Sequence, residues 1–318
     1  MRVGVISNAR AGGGRSEVAD VERFVAARPD VVAVAPVGAS EVAGGLRELA
    51  AAGVELLVVN GGDGTLQRVL TEVLRGGIFP TIPLIAPLRS GRTNMCALDL
   101  GGTRNPVRAM EKLLAAVAEN RVEPLVVERH VLRVAIEPDG IVEYGVFCGV
   151  GMIHRAIQLV HSMFPPGRSQ GVFGAGVVIA GLIVRMTSGV GGGTLSPDHL
   201  KITVDGRDVG RRTYRVVIAS TLDRFFLGLR PFWGEENAPV RVTTVGRRVL
   251  ANPVRLLKAL RGVRPVKPHP QKPVGSYNAH RVEITLDSGL TIDGELFDPA
   301  PGRHLTITAA DVVRFVRA

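Results

Sequence analysis

The chain of 318 residues carries 39 basic and 29 acidic side chains, a net charge of +10, and 46% hydrophobic residues. This composition excludes a disordered chain and suits two globular domains, and the two cysteines, Cys96 and Cys148, exclude a disulfide framework and favour a reducing compartment. The positive charge favours an anionic partner such as a nucleotide or an acidic membrane surface, whereas an aromatic content of only 4% leads us to expect no nucleic-acid partner.

The N-terminus enters a strand at once and lacks the layout of a signal peptide, so we expect a cytoplasmic protein. The longest apolar run, residues 172–184, is too short to cross a bilayer, which needs roughly 20 residues. We therefore expect no integral membrane segment.

Strands and helices alternate through the first third of the chain. Strand patterns cover residues 3–7, 31–35, 55–59 and 82–86, and helical spacing covers 16–27 and 40–52, with Ser40 as the predicted cap. This rhythm predicts a parallel sheet with helices on both faces. Ligands of such sheets bind beyond the carboxyl ends of the strands, so the loops that follow these strands should converge.

A glycine-rich turn follows the third strand and precedes a helical pattern. Its residues are Gly61, Gly62, Asp63, Gly64 and Thr65. Glycine allows close approach of the backbone, and N–H groups at a helix start can bind a phosphate. Asp63 would face a phosphate only through a divalent cation or an ordered water. The alternative is a tight strand-to-helix turn with an N-capping aspartate.

The Gly-Gly-Asp-Gly-Thr sequence resembles the nucleotide-binding motif of diacylglycerol kinases and sphingosine kinases and, more distantly, of NAD kinases and phosphofructokinases. The resemblance implies an α/β N-terminal domain with a parallel sheet and a mostly antiparallel β C-terminal domain. It also implies ATP and Mg²⁺ as cofactors. Gly61, Gly62, Asp63, Gly64 and Thr65 would bind the nucleotide, and Asp63 would contact the metal.

Two further loops carry partial matches to the same lipid-kinase family. Asn8 and Gly12 match its Asn-Pro-x-Ser-Gly segment, although a flexible turn is the alternative reading. Gly91 and Asn94 match its Gly-Thr-x-Asn loop. The resemblance therefore adds these four residues to the nucleotide site, while the chain departs from the family pattern at Arg68, Arg92 and Met95.

The rhythm changes near residue 125, where we place the boundary between domains 1–125 and 126–318, with the last segment free to return to the first domain. Strand patterns cover 131–136, 142–147, 200–204, 214–219, 240–245, 282–286 and 290–292. Residues 138–140 predict a turn, and 287–289 predict a hairpin between the last two strands. Helical patterns cover 152–163 and 173–186, and Gly149–Gly151 resembles the glycine turn with which lipid kinases open this domain.

The second chemical centre is Asp293-Gly294-Glu295, two carboxylates that flank a glycine at a strand end. It resembles the Asp-Gly-Glu motif of diacylglycerol and sphingosine kinases. By that resemblance Asp293 is the general base for a lipid hydroxyl, and Glu295 assists or contacts magnesium. Without the first motif, an exposed turn is the simpler reading. His154, His161, Glu235 and Glu236 carry no assigned metal role.

The sequence thus resembles an ATP-dependent lipid kinase, with a diacylglycerol-like lipid as substrate. An NAD kinase-like small-molecule kinase and a non-catalytic membrane- or nucleotide-binding relative are the alternatives, and a homodimer is left open. Residues 245–275 contain basic side chains and no acidic one, with leucines at helical spacing, so we expect peripheral docking at the inner face of an anionic membrane. The alternative is that these leucines pack on the β domain.

Overall fold

The computed structural model describes residues 1–8, 16–163, 196–225, 228–246, 258, 260–263, 274–298 and 302–318. Within them the chain divides into two units. The N-terminal unit comprises the described residues of Met1–Arg129 together with Val312–Ala318, and the C-terminal unit comprises those of His130–Asp311. Gly12, the predicted helix at 173–186 and most of residues 245–275 lie outside the described residues.

The N-terminal unit is built on a six-stranded sheet with the order β2-β1-β3-β4-β17-β5. Its strands are β1 (Val3–Ser7), β2 (Val31–Val34), β3 (Leu56–Asn60), β4 (Leu84–Pro87), β5 (Val126–His130) and β17 (Val312–Val316). Strand β1 runs parallel to β2 and β3, and β4 runs parallel to β3 and β17. The C-terminal strand therefore lies inside this sheet, between β4 and β5.

Helices follow the strands of this unit in chain order. They are α1 (Ser16–Ala26), α2 (Val42–Ala51), α3 (Asp63–Leu74), α4 (Met95–Asp99) and α5 (Pro106–Ala118). Helix α5 begins with Pro106 after Asn105, whose side chain accepts a hydrogen bond from Arg108 N at 3.0 Å, a standard helix start. The predicted cap at Ser40 is wrong: residues 39–41 form a single 3-10 turn, and Glu41 precedes α2 without a side-chain cap bond.

Strand β3 is apolar along its length because helices cover both faces of a parallel sheet. Its residues Leu56, Leu57, Val58 and Val59 are at most 1% exposed, and burying one such side chain stabilises the fold by about 1.5–3 kcal/mol. This central strand fixes the position of the glycine turn that follows it.

The C-terminal unit contains an eleven-stranded sheet whose strands are paired antiparallel. Its strands are β6 (Leu132–Glu137), β7 (Ile141–Gly145), β8 (Phe147–Gly151), β9 (Asp198–Val204), β10 (Arg207–Ser220), β11 (Val240–Gly246), β12 (Val274–Ala279), β13 (Arg281–Leu286), β14 (Leu290–Ile292), β15 (Glu295–Phe297) and β16 (Arg303–Thr308). In the described part of this unit, helix α6 (Met152–Met163) packs on the sheet at β8, β10 and β14.

Three local predictions for this unit are wrong. Residues 287–289 do not form a hairpin, because β13 pairs with β9 and β16 whereas β14 pairs with β8 and β15. Gly149–Gly151 is the end of strand β8 and not a three-residue turn; the chain changes direction at Gly151 alone, with φ of 75°, directly before α6. The predicted strand at 142–147 is divided at Val146 into β7 and β8. In each case the pairing of distant strands overrides a local signal.

Candidate functional site

The glycine turn joins the buried strand β3 to helix α3. An ideal Cβ on Gly61 would lie 2.6 Å from Thr65 Oγ1, so this position admits only glycine without a shift of Thr65. The Leu66 N–H donates to Gly62 O at 3.0 Å, and the N–H groups of residues 63–65 lie ahead of this bond at the start of the helix. Gly62 and Gly64 are partly exposed while their neighbours are buried. Their backbone is therefore where an anion can approach α3.

Asp63 lies at the start of α3, but its carboxylate is directed to the segment before α4. Asp63 Oδ2 accepts a hydrogen bond from Thr93 Oγ1 at 2.5 Å, and Oδ1 accepts one from Cys96 N at 3.4 Å. The side chain is 8% exposed, and burial raises the pKa of Asp63 although these hydrogen bonds act in the opposite direction. Asp63 thus links the glycine turn to the start of α4.

The loop between β4 and α4 packs directly against the glycine turn. An ideal Cβ on Gly91 would lie 2.3 Å from Gly62 Cα. The two backbones can therefore lie this close only because residue 91 has no side chain. Asn94 adopts the left-handed conformation with φ of 51°, and its side chain both accepts from Gly91 N at 2.7 Å and donates to Gly91 O at 2.9 Å. Asn94 therefore holds the shape of this loop.

Asn8 connects the end of β1 to the same turn. Its Nδ2 donates to Thr65 Oγ1 at 3.0 Å, and its backbone N donates to Asn60 O at 3.1 Å. The structure therefore brings Asn8, Gly61, Gly62, Asp63, Gly64, Thr65, Gly91 and Asn94 together at the carboxyl edge of the sheet. Gly12 lies outside the described residues.

The sequence reasoning missed Asn60, which organises the centre of this edge. Asn60 is fully buried, and its Nδ2 donates to Ser7 Oγ at 3.0 Å and to Val18 O at 3.1 Å. Its Oδ1 accepts from Ser90 Oγ at 2.7 Å. One amide thus ties the ends of β1 and β3 to α1 and to the loop after β4. An amide at the end of an otherwise apolar buried strand was the available signal.

Asp63 is the residue of this site that could bind a metal ion. Among the residues that the structure describes, no group of three or more His, Cys, Asp or Glu side chains could hold a metal ion. A single carboxylate is nevertheless compatible with Mg²⁺ that arrives with a nucleotide, because such an ion is held largely by phosphates and waters. Direct ligation by Asp63 would require exchange of its bond with Thr93.

The second candidate centre lies in the hairpin between β14 and β15. Asp293 and Gly294 are its two turn residues, with φ of 48° and 94°, and Ile292 pairs with Glu295. Positive φ at both residues is the signature of a type I′ turn, for which Asp-Gly is a favoured sequence. The motif is therefore a tight turn, and this local part of the alternative reading is correct.

The turn is buried at Asp293, unlike an ordinary surface hairpin. Asp293 is 4% exposed, its N donates to Phe147 O at 3.0 Å, and its Oδ2 accepts from Val146 N at 2.9 Å. Glu295, two residues later, is exposed at the start of β15. The two carboxylates therefore have different surroundings, and the buried one is the better placed to hold a fixed geometry.

Strand β8, which lies beside this turn, carries a buried thiol and an aromatic ring. Cys148 lies next to Phe147 on β8 and pairs with Ile292, and its burial, together with the negative charge of Asp293, raises the pKa of the Cys148 thiol to about 12. The ring of Phe147 packs edge-on against Phe225 at 5.4 Å between centroids, and Phe225 packs similarly against Phe232 at 5.5 Å. The residue whose backbone carbonyl accepts from Asp293 N, Phe147, therefore belongs to an aromatic cluster.

Two other polar residues singled out in the sequence, His154 and Glu236, make contacts within the C-terminal unit that explain their positions. His154 is buried against Gly289, and burial lowers the pKa of His154 below its ordinary value. Glu236 Oε2 accepts from Asn278 N at 2.9 Å, which lowers the pKa of Glu236. These contacts account for both side chains within the C-terminal unit.

Comparison with known proteins agrees with this organisation. Residues 2–123 match the family model of the diacylglycerol kinase catalytic domain. No curated protein matches the chain. In the part of the chain that the structure describes, no helix has the length and apolar character needed to cross a membrane.

Solved structures share the fold at low sequence identity. The crystal structure of a diacylglycerol kinase from Bacillus anthracis str. Sterne is 16% identical, with a TM-score of 0.62 over 100% of this chain and 97% of that chain. Yeast NADH kinase complexed with NADH is 13% identical, with a TM-score of 0.52 over 100% of this chain and 84% of that chain. The predicted resemblance and the predicted fold class are confirmed.

Proposed function

We propose that the protein is an ATP-dependent lipid kinase that transfers the γ-phosphate to the hydroxyl of a diacylglycerol-like lipid. The observation that carries the proposal is the glycine turn at the carboxyl edge of the parallel sheet, within the segment that matches the diacylglycerol kinase catalytic domain. The structural neighbours, which include a diacylglycerol kinase, support the same fold for the whole chain.

In this proposal the N-terminal unit binds ATP. The partly exposed backbone at Gly62 and Gly64 would face the phosphates, because the N–H groups at the start of α3 favour negative charge. Asn8, Thr65, Gly91 and Asn94 would hold the two loops in place around them. Mg²⁺, bound with the nucleotide beside Asp63, would neutralise charge on the phosphates.

Asp293 is the proposed general base. It would take the proton of the acceptor hydroxyl as the new oxygen–phosphorus bond forms, a role that an ordinary carboxylate can fill in a loose phosphoryl-transfer transition state. Phe147, whose backbone carbonyl accepts from Asp293 N, packs its ring against Phe225, and in this proposal the aromatic cluster favours an acceptor whose hydroxyl is attached to an apolar body. Glu295, on the exposed side of the hairpin, would assist.

The test is phosphate transfer from γ-labelled Mg-ATP by the purified protein. Detergent micelles that contain diacylglycerol, a sphingoid base or a glycerophospholipid are supplied in parallel, with NAD as a soluble acceptor. We expect a labelled product in the organic phase with diacylglycerol. Label on NAD alone would replace the proposal with a small-molecule kinase, and nucleotide binding without transfer to any acceptor would replace it with a non-catalytic relative.

We further propose that the basic stretch at 245–275 brings the enzyme to an anionic bilayer. Lys258 and Arg261, in its described part, are exposed, and each basic residue near such a surface contributes about 1 kcal/mol. The variant with glutamate at Arg255, Lys258 and Arg261 should lose sedimentation with phosphatidylglycerol vesicles at low salt. A matched control carries glutamate at three exposed helical arginines, Arg23, Arg47 and Arg108. Equal binding by both variants would exclude this stretch as the contact.

A further inference from the structure

The carboxylate of Asp293 is held by the short segment that joins β7 to β8. We call this segment, which consists of Gly145, Val146 and Phe147, the Asp293 recess. Val146 N donates to Asp293 Oδ2 at 2.9 Å, and Phe147 O accepts from Asp293 N at 3.0 Å. One bond fixes the backbone of the turn and the other fixes the carboxylate, so the recess sets both the position and the orientation of the side chain.

Gly145 supplies the space that the carboxylate occupies. An ideal Cβ on Gly145 would lie 2.4 Å from Asp293 Oδ2 and 2.8 Å from Ile292 Cγ2. Contacts below 3.0 Å essentially do not occur for real Cβ atoms, so any larger residue must displace the carboxylate or the strand that carries it. Gly145 is not among the glycines with positive φ, so the requirement is one of space and not of backbone conformation.

Ser220 holds the recess from the other side. Ser220 is fully buried at the end of β10, and its Oγ donates to Val146 O at 2.7 Å while accepting from Leu222 N at 3.1 Å. Thr221 N donates to the same Val146 O at 3.2 Å. Val146 lies where the strand is interrupted. Its carbonyl is held by the Ser220 hydroxyl and the Thr221 N–H, and its own N–H donates to Asp293.

We propose that Gly145 and Ser220 are positioning residues for the general base Asp293, which act through Val146. This inference rests on the proposed kinase function. In the transfer, the acceptor oxygen forms a bond to the γ-phosphorus, its O–H bond breaks, and the proton passes to the Asp293 carboxylate. The bond between the γ-phosphorus and the bridging oxygen breaks, and its electron pair leaves with ADP. Displacement of the base by about 1 Å is enough to lower such a rate by about 10²-fold.

The experiment measures kcat and KM for the lipid acceptor in Ser220→Ala and Gly145→Ala. We expect kcat to fall by about 10-fold for Ser220→Ala and about 10²-fold for Gly145→Ala, with KM for ATP unchanged. Ser288→Ala is the matched serine control, because Ser288 is buried and its hydroxyl has no hydrogen-bond partner among the described residues. Gly44→Ala is the matched glycine control, because nothing described lies within 4 Å of its ideal Cβ.

A double-mutant cycle separates positioning from general structural damage. If Ser220 and Gly145 act through the base, neither substitution should lower kcat further in an Asp293→Asn background. Additive losses in that background, or normal kcat in both single variants, would overturn the positioning proposal. Normal turnover of Asp293→Asn itself would instead overturn the role of Asp293, so the two failures are distinguishable. Because Gly145→Ala can weaken folding, Ser220→Ala is judged independently, with thermal unfolding measured for each variant.

Discussion

The C-terminal unit contains the same two-residue turn twice, in two different settings. Asp205-Gly206 joins β9 to β10 with φ of 46° and 76°, and Asp293-Gly294 joins β14 to β15 with φ of 48° and 94°. The Asp205 carboxylate is exposed and accepts hydrogen bonds from His280 N at 3.0 Å and Arg281 N at 2.8 Å. The Asp293 carboxylate is buried and accepts one from Val146 N.

The two turns have the same local conformation, so the difference between them comes from packing. Asp205, whose carboxylate binds backbone N–H groups at the start of β13, stays in contact with water, so its charge carries little desolvation cost. A buried carboxylate carries a desolvation cost that a merely structural turn does not need. The contrast is the reason to assign chemistry to Asp293 and only stability to Asp205.

The strongest test of this contrast exchanges each aspartate for asparagine. We expect Asp293→Asn to lower kcat by about 10²–10⁴-fold, the usual weight of a positioned base, with ATP binding retained. Asp205→Asn should keep kcat within about 2-fold and lower the free energy of unfolding by about 0.5–1.5 kcal/mol. Steady-state kinetics and urea unfolding of both variants provide the readouts. Equal effects of the two substitutions on kcat would remove the distinction.

The buried carboxylate of the N-terminal unit extends the comparison. Asp63→Ala removes the acceptor for Thr93 Oγ1 and Cys96 N, so the loop before α4 loses its link to the glycine turn. We expect Mg-ATP affinity to fall by about 10–100-fold, equivalent to about 1.4–2.8 kcal/mol. Calorimetric titration checks this, with Asp205→Ala as the control. Unchanged affinity in the folded variant would exclude Asp63 from nucleotide binding.

Replacing the glycine of each turn gives a smaller and more even effect on stability. Gly206 and Gly294 both have positive φ, and no atom of the described residues lies within 4 Å of an ideal Cβ on either, so alanine is strained by backbone conformation alone. Each substitution should cost about 1–2 kcal/mol in thermal unfolding. Only Gly294→Ala should also lower kcat, because it disturbs the backbone next to the proposed base, Asp293. A kcat loss in Gly206→Ala of similar size would show that the assay follows stability.

The smallest predicted effect reports the charge of Asp293 without any activity assay. The pKa of Cys148 in the folded protein, about 12, is above its ordinary value of 9.0. The thiol therefore loses its proton at lower pH in the unfolded chain than in the folded one, and the folded state loses stability as pH rises from about 9 to about 12. Asp293→Asn should lower the pKa of Cys148, although burial will keep it above its ordinary value, and Asp205→Asn should leave it unchanged. Alkylation rates against pH in a Cys96→Ala background provide the measurement. An unchanged rate profile in Asp293→Asn would mean that the carboxylate is not charged.

Sequence reasoning predicted the alternating first unit and both motifs because these depend on short-range patterns. Four consecutive apolar residues shortly before two glycines identify β3 and its turn, and Asp-Gly after an apolar strand pattern indicates a turn at 139–140 and 293–294. It failed where two local signals compete, since residues 287–289 and 293–294 both have turn chemistry and only distant pairing decides which closes a hairpin.

The same limit applied to burial within the second motif. Asp293 and Glu295 are two residues apart, a spacing that places side chains on one face of a continuous strand. The turn interrupts that alternation, so one carboxylate is buried and the other exposed. Asn60 and Val146 were missed because their roles depend on partners that are distant in the sequence. Ser7 is 53 residues from Asn60, and Asp293 is 147 residues from Val146.

The insertion of β17 between β4 and β5 has a consequence for synthesis on the ribosome. Residues 312–316 complete the interior of a sheet whose other strands lie within the first 130 residues, and Val316 is fully buried in the core of that unit. The N-terminal unit therefore cannot reach its final state as it emerges, and must wait until the β-rich C-terminal unit has been translated. Such long-range closure slows folding and exposes the unfilled position between β4 and β5 to chaperones and to mispairing in the meantime.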